Sequence, residues 1–176
     1  ADRAAVHAAF SRYPFSTASP TVQMFEWAMA HFLKVPGTVA VNSGTGALHL
    51  ALLASGVKPG DEVVMPALTF VGTANAVAAC GAKPVFVDVE KDTANIDVAQ
   101  IESKITEKTK LIVPVHYSGH PADMEAIYNI AKKRGISVIE DACHALGAKY
   151  KNKKIDSIVL LFLNTRAPRA IEPAIK

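Results

Sequence analysis

The 176-residue sequence is 50% hydrophobic and carries a formal net charge of +3 at pH 7. This length and apolar fraction suffice for one domain with a full-sized core, and they exclude global disorder. Acidic and basic residues are interspersed, so the charge pattern supports binding to neither nucleic acid nor a membrane surface.

The two cysteines, Cys80 and Cys143, lie far apart and form no C-x-x-C pair. They predict neither a disulfide framework nor a zinc site, and they indicate a reducing compartment, so we expect a cytoplasmic protein. The longest apolar run, residues 158–163, is far shorter than the roughly 20 residues that a membrane-spanning helix needs.

The first 20 residues are turn-rich and predict an N-terminal arm with at most a short helix. Apolar residues between 21 and 33 recur on one helical face, and Pro36 and Gly37 end this helix. A first strand is expected to follow over residues 38–41.

Five short β-rich runs alternate with helical stretches, near residues 38–41, 62–65, 84–88, 110–115 and 136–140. Such alternation predicts an α/β layer structure with a mostly parallel sheet and helical crossovers. Gly56, Gly81 and Gly135 stand where helices would end in a left-handed residue, and Asp97 with Gln100 resembles a capping box.

Polar clusters fall where the predicted strands end, which is where open parallel sheets bind ligands. After the first strand, Gly44, Thr45 and Gly46 lead into a helix predicted over residues 47–55. Two glycines permit close backbone approach, and a helix start with a nearby hydroxyl suits a phosphate. An ordinary strand-to-helix turn is the alternative.

After the second strand, Phe70 is an aromatic residue that could lie over a flat ring, or else a core residue of the following helix. His116 and His120 follow the fourth strand. They lack an obvious set of metal-binding partners, so we interpret both as satisfied loop histidines and predict no metal site.

The fifth strand runs directly into Glu140 and Asp141, followed by Cys143 and His144. A buried carboxylate is costly unless paired, and Asp141 facing a protonated ring nitrogen would be paired. The alternative is an aspartate that caps the next turn. Cys143 is expected to be a small buried packing residue. A phosphate cradle, a stacking aromatic and a buried carboxylate together are what a phosphorylated aromatic cofactor needs.

These residues resemble the sugar aminotransferases of the DegT/DnrJ/EryC1/StrS family, which are fold type I pyridoxal-phosphate (PLP) enzymes. The resemblance covers roughly residues 20–157 and rests on four segments in order: NSGTGALHLALLASGVKPGDEVVMPALTFVGTANAV, GAKPVFVDVEKDTANID, TKLIVPVHYSGHPADM and VIEDACHALGAKYKNKKI. It implies a three-layer α/β sandwich and makes residues 21–157 a partial PLP-binding large domain after the 1–20 arm.

The resemblance also assigns roles by position. It implies that Gly44, Thr45 and Gly46 hold the phosphate and that Phe70 stacks on the ring. It also implies that Asp141 pairs with the ring nitrogen and that His144 lies near the ring hydroxyl. The family moves an amino group from glutamate or glutamine to the keto carbon of a nucleotide-linked deoxysugar.

The resemblance stops before the lysine that forms the family's Schiff base with PLP. No lysine occurs between Lys154 and Lys176. We therefore expect residues 158–176 to be a divergent tail, with that lysine and the C-terminal small domain absent, as after a frameshift or truncation. Because the lysine is both covalent anchor and base, no catalytic residue is assigned. The chain alone is expected to be inactive and to bind PLP non-covalently or not at all.

Two alternatives stay open. One is a split aminotransferase, in which a second chain supplies the missing C-terminal half, and the other is a non-catalytic scaffold or interaction protein. The resemblance implies dimers with sites at the subunit interface, so a homo-oligomer is expected. Residues 158–163 could add a strand to an exposed sheet edge.

Overall fold

The computed structural model describes residues 3–4, 7–8, 11 and 19–155, and the chain divides into two compact units, residues 1–41 and 42–176. The first unit contains helix α1, Pro20–Leu33. Ser19 caps its N-terminus by accepting the N–H of Thr21, and Lys34 ends it in the left-handed conformation. A helix over these residues confirms the prediction from the apolar face.

The strand predicted over residues 38–41 is wrong, because these residues have no regular secondary structure and pair with no strand among the described residues. Its polar groups bond instead to α1. Thr38 Oγ1 donates to the carbonyl oxygen of Glu26 at 2.7 Å, and the Ala40 N–H donates to Glu26 Oε1 at 2.8 Å. A β-rich pattern predicts extended backbone, but it does not specify the hydrogen-bond partner.

The second unit holds the sheet and its helices. Its elements in chain order are α2 (Gly44–Ala54), β1 (Glu62–Pro66), α3 (Val71–Ala79), β2 (Lys83–Val87), α4 (Val98–Lys104), β3 (Thr109–Ile112), a short 3₁₀ turn (Tyr117–Gly119), α5 (Met124–Arg134), β4 (Ser137–Val138), β5 (Lys149–Tyr150) and β6 (Lys153–Lys154). The predicted strands near 62–65, 84–88, 110–115 and 136–140 are therefore present, with shifted ends.

Strands β1 to β4 form one parallel sheet in the order β2-β1-β3-β4. The pairing places Val64 opposite both Val85 and Ile112, and Ile112 opposite Val138. All these residues are apolar because a parallel sheet is covered by helices on both faces. The parallel α/β architecture that the sequence predicts is confirmed.

Alternate strand residues enter two separate cores, because successive side chains of a strand point to opposite faces. Val63, Met65 and Leu111 pack in the core that includes residues of α2 and α3. Val64 and Ile112 pack in the core that includes residues of α4 and α5. Two helical layers therefore enclose the sheet, as the predicted three-layer sandwich requires.

Helix boundaries follow their local sequence. Gly135 ends α5 with φ +67, and its N–H bonds back to the last turn. Asp97 caps α4 by accepting the Ala99 N–H, while the amide of Gln100 donates to the second carboxylate oxygen. The sequence predicts both the end of α5 and the start of α4.

The hairpin of β5 and β6 is an element that the sequence analysis missed. Lys151 and Asn152 form its two-residue turn with φ +47 and +64, the backbone of a type I′ turn. Lys-Asn is a less familiar sequence there than Asn-Gly. Tyr150 Oη donates to Asp123 Oδ1 at 2.6 Å, which raises the pKa of Tyr150 and lowers the pKa of Asp123.

Two sequence predictions lie outside the described residues: the divergent tail over 158–176 and the substitute strand over 158–163. Within the part that the structure describes, no helix combines the length and the apolar character needed to cross a membrane.

Candidate functional site

The strand order identifies the edge of the sheet where a ligand would bind. The chain passes from β1 outward to β2 and then returns to the other side of β1 as β3. The segments that leave β1 and β3 therefore diverge, and such a switch point at the carboxyl edge is the usual ligand crevice of open α/β sheets. The segments beyond β1, β3 and β4 contain Phe70, His116 and Asp141.

Asp141 is a buried carboxylate at this edge, only 5% exposed. Its Oδ2 accepts the hydroxyl of Thr73 at 2.8 Å, and its Oδ1 accepts the backbone N–H of Cys143 at 3.3 Å. The second bond is the turn cap that the sequence analysis kept as an alternative. Within the described residues, no lysine, arginine or histidine forms an ion pair with Asp141. Buried carboxylates are usually paired, so this donor set leaves a place for a cation.

Two threonines that the sequence analysis missed form a chain of hydroxyls to Asp141. Thr69 Oγ1 and Thr73 Oγ1 are 3.0 Å apart. A hydroxyl has one proton, and that of Thr73 is donated to Asp141, so Thr69 is the donor to Thr73. The spacing of four residues was the available sequence signal, but it does not indicate which distant acid the hydroxyls reach.

Helix α2 begins at Gly44, so Gly44, Thr45 and Gly46 are its first turn. The predicted start at residue 47 is wrong, because Ser43 is the cap and its Oγ accepts the Gly46 N–H at 3.1 Å. The first N–H groups of a helix have no intrahelical acceptor. The Gly46 N–H is donated to the Ser43 cap, so among the described residues the N–H groups of Gly44 and Thr45 remain as donors at the positive end of the helix dipole, an arrangement that suits a phosphate.

Gly72 allows the start of α3 to approach Thr45 and Phe70 closely. A Cβ on Gly72 would lie 2.4 Å from Thr45 Oγ1 and 2.8 Å from Phe70 Cδ1. Phe70 is the N-cap residue of α3 and is 72% exposed, so it is not a core residue. The structure thus brings Thr45 and Phe70 together across one glycine.

Gly44 likewise allows the start of α2 to approach the segment that contains Asp141 closely. A Cβ on Gly44 would lie 3.0 Å from Cys143 Sγ. The prediction that Cys143 is buried is wrong, because the residue is exposed in the turn after the strand. Partial desolvation of its thiol and the neighbouring Asp141 carboxylate raise the pKa of Cys143 to about 12. Such a thiol is a poor nucleophile, as the sequence analysis expects.

His144 is exposed and lies next to the loop that follows β3. A Cβ on Gly119 would lie 2.8 Å from the carbonyl oxygen of His144, and Gly119 has φ +84, so this contact requires glycine. The loop itself is fixed by Asn95, whose side chain accepts the Tyr117 N–H at 3.0 Å and donates to the His120 carbonyl at 3.1 Å. His120 is exposed.

A second buried polar cluster lies beside Asp141. His116 is fully buried, its Nε2 is 2.8 Å from Glu140 Oε2, and its Nδ1 accepts the Ala122 N–H at 3.1 Å. Tyr128 Oη donates to Glu140 Oε1 at 2.5 Å. His116 is therefore the satisfied histidine that the sequence predicts. Glu140 and Tyr128 were missed as its partners, because residues 116, 128 and 140 come from three different segments.

The six predicted site residues thus lie along one edge of the second unit. The helix start at Gly44, Thr45 and Gly46 offers donors for an anion, Phe70 offers an exposed aromatic face, and Asp141 offers a buried carboxylate for a cation. A ring that carries a phosphate and a protonated nitrogen, as PLP does, matches this donor set.

Comparison with known proteins gives the family. The profile of the DegT/DnrJ/EryC1/StrS aminotransferase family matches residues 1–159. Of the similar curated proteins, the pleiotropic regulatory protein of Geobacillus stearothermophilus is 50% identical over 137 residues, which are 78% of this chain and 37% of that protein. GDP-perosamine synthase of Caulobacter vibrioides is 48% identical over 134 residues, which are 76% of this chain and 36% of that protein.

Solved structures give the same result. The NtdA structure from Bacillus subtilis with bound cofactor PMP superposes with a TM-score of 0.75 at 40% identity, covering 82% of this chain and 33% of that chain. The matched residues therefore span about a third of these relatives' length. A profile match over most of the chain and a shared α/β fold show that the chain belongs to the DegT/DnrJ/EryC1/StrS aminotransferase family.

Proposed function

We propose that this chain is the cofactor-binding part of a PLP-dependent sugar aminotransferase whose substrate is a nucleotide-linked keto-deoxysugar. The observation that carries the proposal is Asp141, a carboxylate buried at the switch point of the sheet and held by neutral donors only among the described residues. Relatives named for a perosamine synthase and for PMP binding support the substrate and cofactor classes.

The residues of this chain have separate roles toward the cofactor. The helix start at Gly44, Thr45 and Gly46 would hold the phosphate, with the N–H groups of Gly44 and Thr45 and the Thr45 hydroxyl as donors, and Phe70 would cover one face of the ring. Asp141 would hold a proton at the ring nitrogen, because a carboxylate nearby favours the charged form of a base. His144 would lie near the ring hydroxyl. When bound, PLP supplies an electron sink for the carbon that gains or loses the amino group.

No lysine lies between Lys154 and Lys176. We therefore propose that the chain binds PLP without a covalent link and does not transfer amino groups by itself. This proposal predicts a saturable change in the PLP absorbance spectrum when the chain is added. After borohydride treatment, mass spectrometry should find no cofactor on any lysine, and a modified lysine would contradict the non-covalent proposal.

Asp141→Asn tests the ring-nitrogen contact, because the amide keeps the shape and loses the charge. We expect PLP affinity to fall at least about tenfold, equivalent to about 1.4 kcal/mol. Asp88→Asn is the matched control, since Asp88 also follows a strand at this edge but is exposed. Equal losses in the two variants would contradict a specific role for Asp141.

Gly72→Ala tests the phosphate and ring contacts together. The added Cβ would overlap Thr45 Oγ1 and the Phe70 ring, so both side chains must move. Overpacking of this kind costs about 1–3 kcal/mol. We expect weaker PLP binding while Gly37→Ala, where a Cβ meets nothing within 4 Å, leaves binding unchanged.

The same titration separates the alternatives. If the unmodified chain binds no PLP, the scaffold interpretation replaces the enzymatic one. If it binds PLP, co-expression with a chain that carries a family-type lysine segment and the C-terminal half tests the split enzyme. Transfer of an amino group from glutamate to a nucleotide-linked keto-deoxysugar by the pair, and by neither chain alone, would establish it.

We also propose that the chain forms a homo-oligomer. Leu68, Phe70 and Val71 are exposed by 43%, 72% and 60% at the proposed site, and exposed apolar clusters often mark interfaces. Size-exclusion chromatography over a range of concentrations should show a species larger than a monomer. A monomer at every concentration would contradict this proposal.

A further inference from the structure

The two consecutive acids after β4 are held from opposite sides of the sheet. Asp141 accepts a hydrogen bond from Thr73 on α3, whereas Glu140 accepts one from Tyr128 on α5. This separation follows from the alternation of side chains along an extended segment. A shift of one residue in this segment would exchange the two carboxylates between the two faces.

Backbone pairing with the β3 segment continues past β4 in one register. Strand β4 contains only Ser137 and Val138, and beyond it the Ile139 N–H donates to the Ile112 carbonyl at 3.0 Å. The Asp141 N–H donates to the Pro114 carbonyl at 2.9 Å, and the His116 N–H donates to the Asp141 carbonyl at 3.0 Å. Val115 pairs with Asp141 in the same register as Leu111 with Ser137, so the backbone already favours this arrangement and the side chains can reinforce it.

His116 adds side-chain bonds at this point. Its Nδ1 accepts the Ala122 N–H, so the ring proton is on Nε2, which donates to Glu140. Glu140 then has a donor on each carboxylate oxygen, from His116 and from Tyr128. The buried Glu140 is stable only on the α5 side, because the donors are there.

We propose that His116, Glu140 and Tyr128 are positioning residues that keep Asp141 on the α3 side of the sheet, facing the cofactor. The cofactor part of this inference rests on the proposed function. The part that concerns the backbone position of Asp141 does not depend on a bound cofactor. The positioning role and the proposed function can therefore fail separately.

Two substitutions of His116 separate positioning from simple loss of stability. In His116→Gln the side-chain amide reaches the place of Nε2, so it keeps the donor to Glu140 and loses the acceptor for Ala122. In His116→Asn the shorter amide reaches the place of Nδ1, so it keeps that acceptor and loses the donor to Glu140. Both variants lose one buried hydrogen bond, but only His116→Asn breaks the link to Glu140.

The first readout is hydrogen exchange of backbone amides in the chain without cofactor. His116→Asn should accelerate exchange of the Asp141 amide about tenfold or more relative to the Glu62 amide, the size expected for loss of one bond to a charged group. The Glu62 N–H donates to the Lys108 carbonyl at the opposite end of the sheet and serves as the reference amide. His116→Gln should leave this ratio within about threefold of the unmodified chain.

The second readout is the ring-nitrogen resonance of bound PLP labelled with ¹⁵N, measured at saturation. In the unmodified chain we expect the resonance of a protonated ring nitrogen. His116→Asn should shift this resonance toward that of an unprotonated ring nitrogen, and His116→Gln should leave it where it is in the unmodified chain. A residue that contributed stability alone would not move this resonance at full occupancy.

Three results would overturn the proposal: equal exchange ratios in both variants, an unchanged ratio in His116→Asn, or an unchanged ring resonance in that variant. If the unmodified chain binds no PLP, the proposed function fails and the exchange ratio still decides the positioning role. If His116→Asn does not fold, Tyr128→Phe replaces it, because it removes one donor to Glu140 and retains the ring. The same ratio should then rise, and an unchanged ratio would overturn the proposal.

Discussion

Removal of the Thr73 hydroxyl is the perturbation whose cost follows most directly from the structure. Thr73 is 2% exposed, and its hydroxyl donates to the buried carboxylate of Asp141 at 2.8 Å. Valine has nearly the same shape, so Thr73→Val removes the donor and leaves little cavity. Asp141 Oδ2 then has no protein donor among the described residues.

A hydrogen bond to a charged group contributes about 1.5–3 kcal/mol. For a chain of 176 residues, each kcal/mol corresponds to a shift in Tm of about 2–4 °C. We therefore expect Thr73→Val to lower the free energy of unfolding by about 1.5–3 kcal/mol and Tm by about 3–12 °C. Urea denaturation without cofactor, followed by circular dichroism, measures the first quantity.

Thr69→Val is the matched control. Thr69 is only half-buried and donates to another hydroxyl, so its loss should cost about 0.5–1.5 kcal/mol. In an Asp141→Asn background the cost of Thr73→Val should shrink, because no buried charge is left without a donor. A cost for Thr73→Val below about 0.5 kcal/mol, or an undiminished cost in that background, would refute the assignment.

Three further predictions concern separate parts of the chain. Cys143, whose pKa is raised from its ordinary value of 9.0 to about 12, should react with a thiol reagent at pH 8 at least about tenfold more slowly than after unfolding, because the smaller thiolate fraction outweighs the higher nucleophilicity of a more basic thiolate; equal rates would contradict the shift. The hydrogen bond from the Thr106 hydroxyl lowers the pKa of Glu62 in the folded chain. The stability that Glu62 contributes is therefore present above its unfolded pKa and is lost as pH falls through the lower folded pKa. In Thr106→Val, carbon-13 NMR should find the pKa of Glu62 higher than in the unmodified chain. Gly135→Ala should cost about 1–2 kcal/mol in urea denaturation, because Gly135 has φ +67 and a Cβ there meets nothing within 4 Å, and a neutral result would show that the turn relaxes.

The motif residues themselves are readable from sequence because their chemistry is local. A helix start after Ser43, a glycine at residue 135 and an acid directly after a β-rich run follow from neighbours in the chain. Such features depend on backbone geometry and on the period of apolar residues, which a single segment determines. At residues 38–41 the sequence did not indicate the hydrogen-bond partner of the segment. At the start of α2 it misplaced the helix boundary.

The sequence by itself determined that the chain is an α/β protein with a buried acid at a strand end and a glycine-containing helix start after Ser43. Only the tertiary structure decided the strand order, which makes the edge beyond β1 and β3 a switch point. It also decided that Thr73 reaches Asp141 and that Glu140 turns to the opposite helix layer. The physical reason is that these contacts join residues far apart in sequence, and their geometry depends on how whole layers pack.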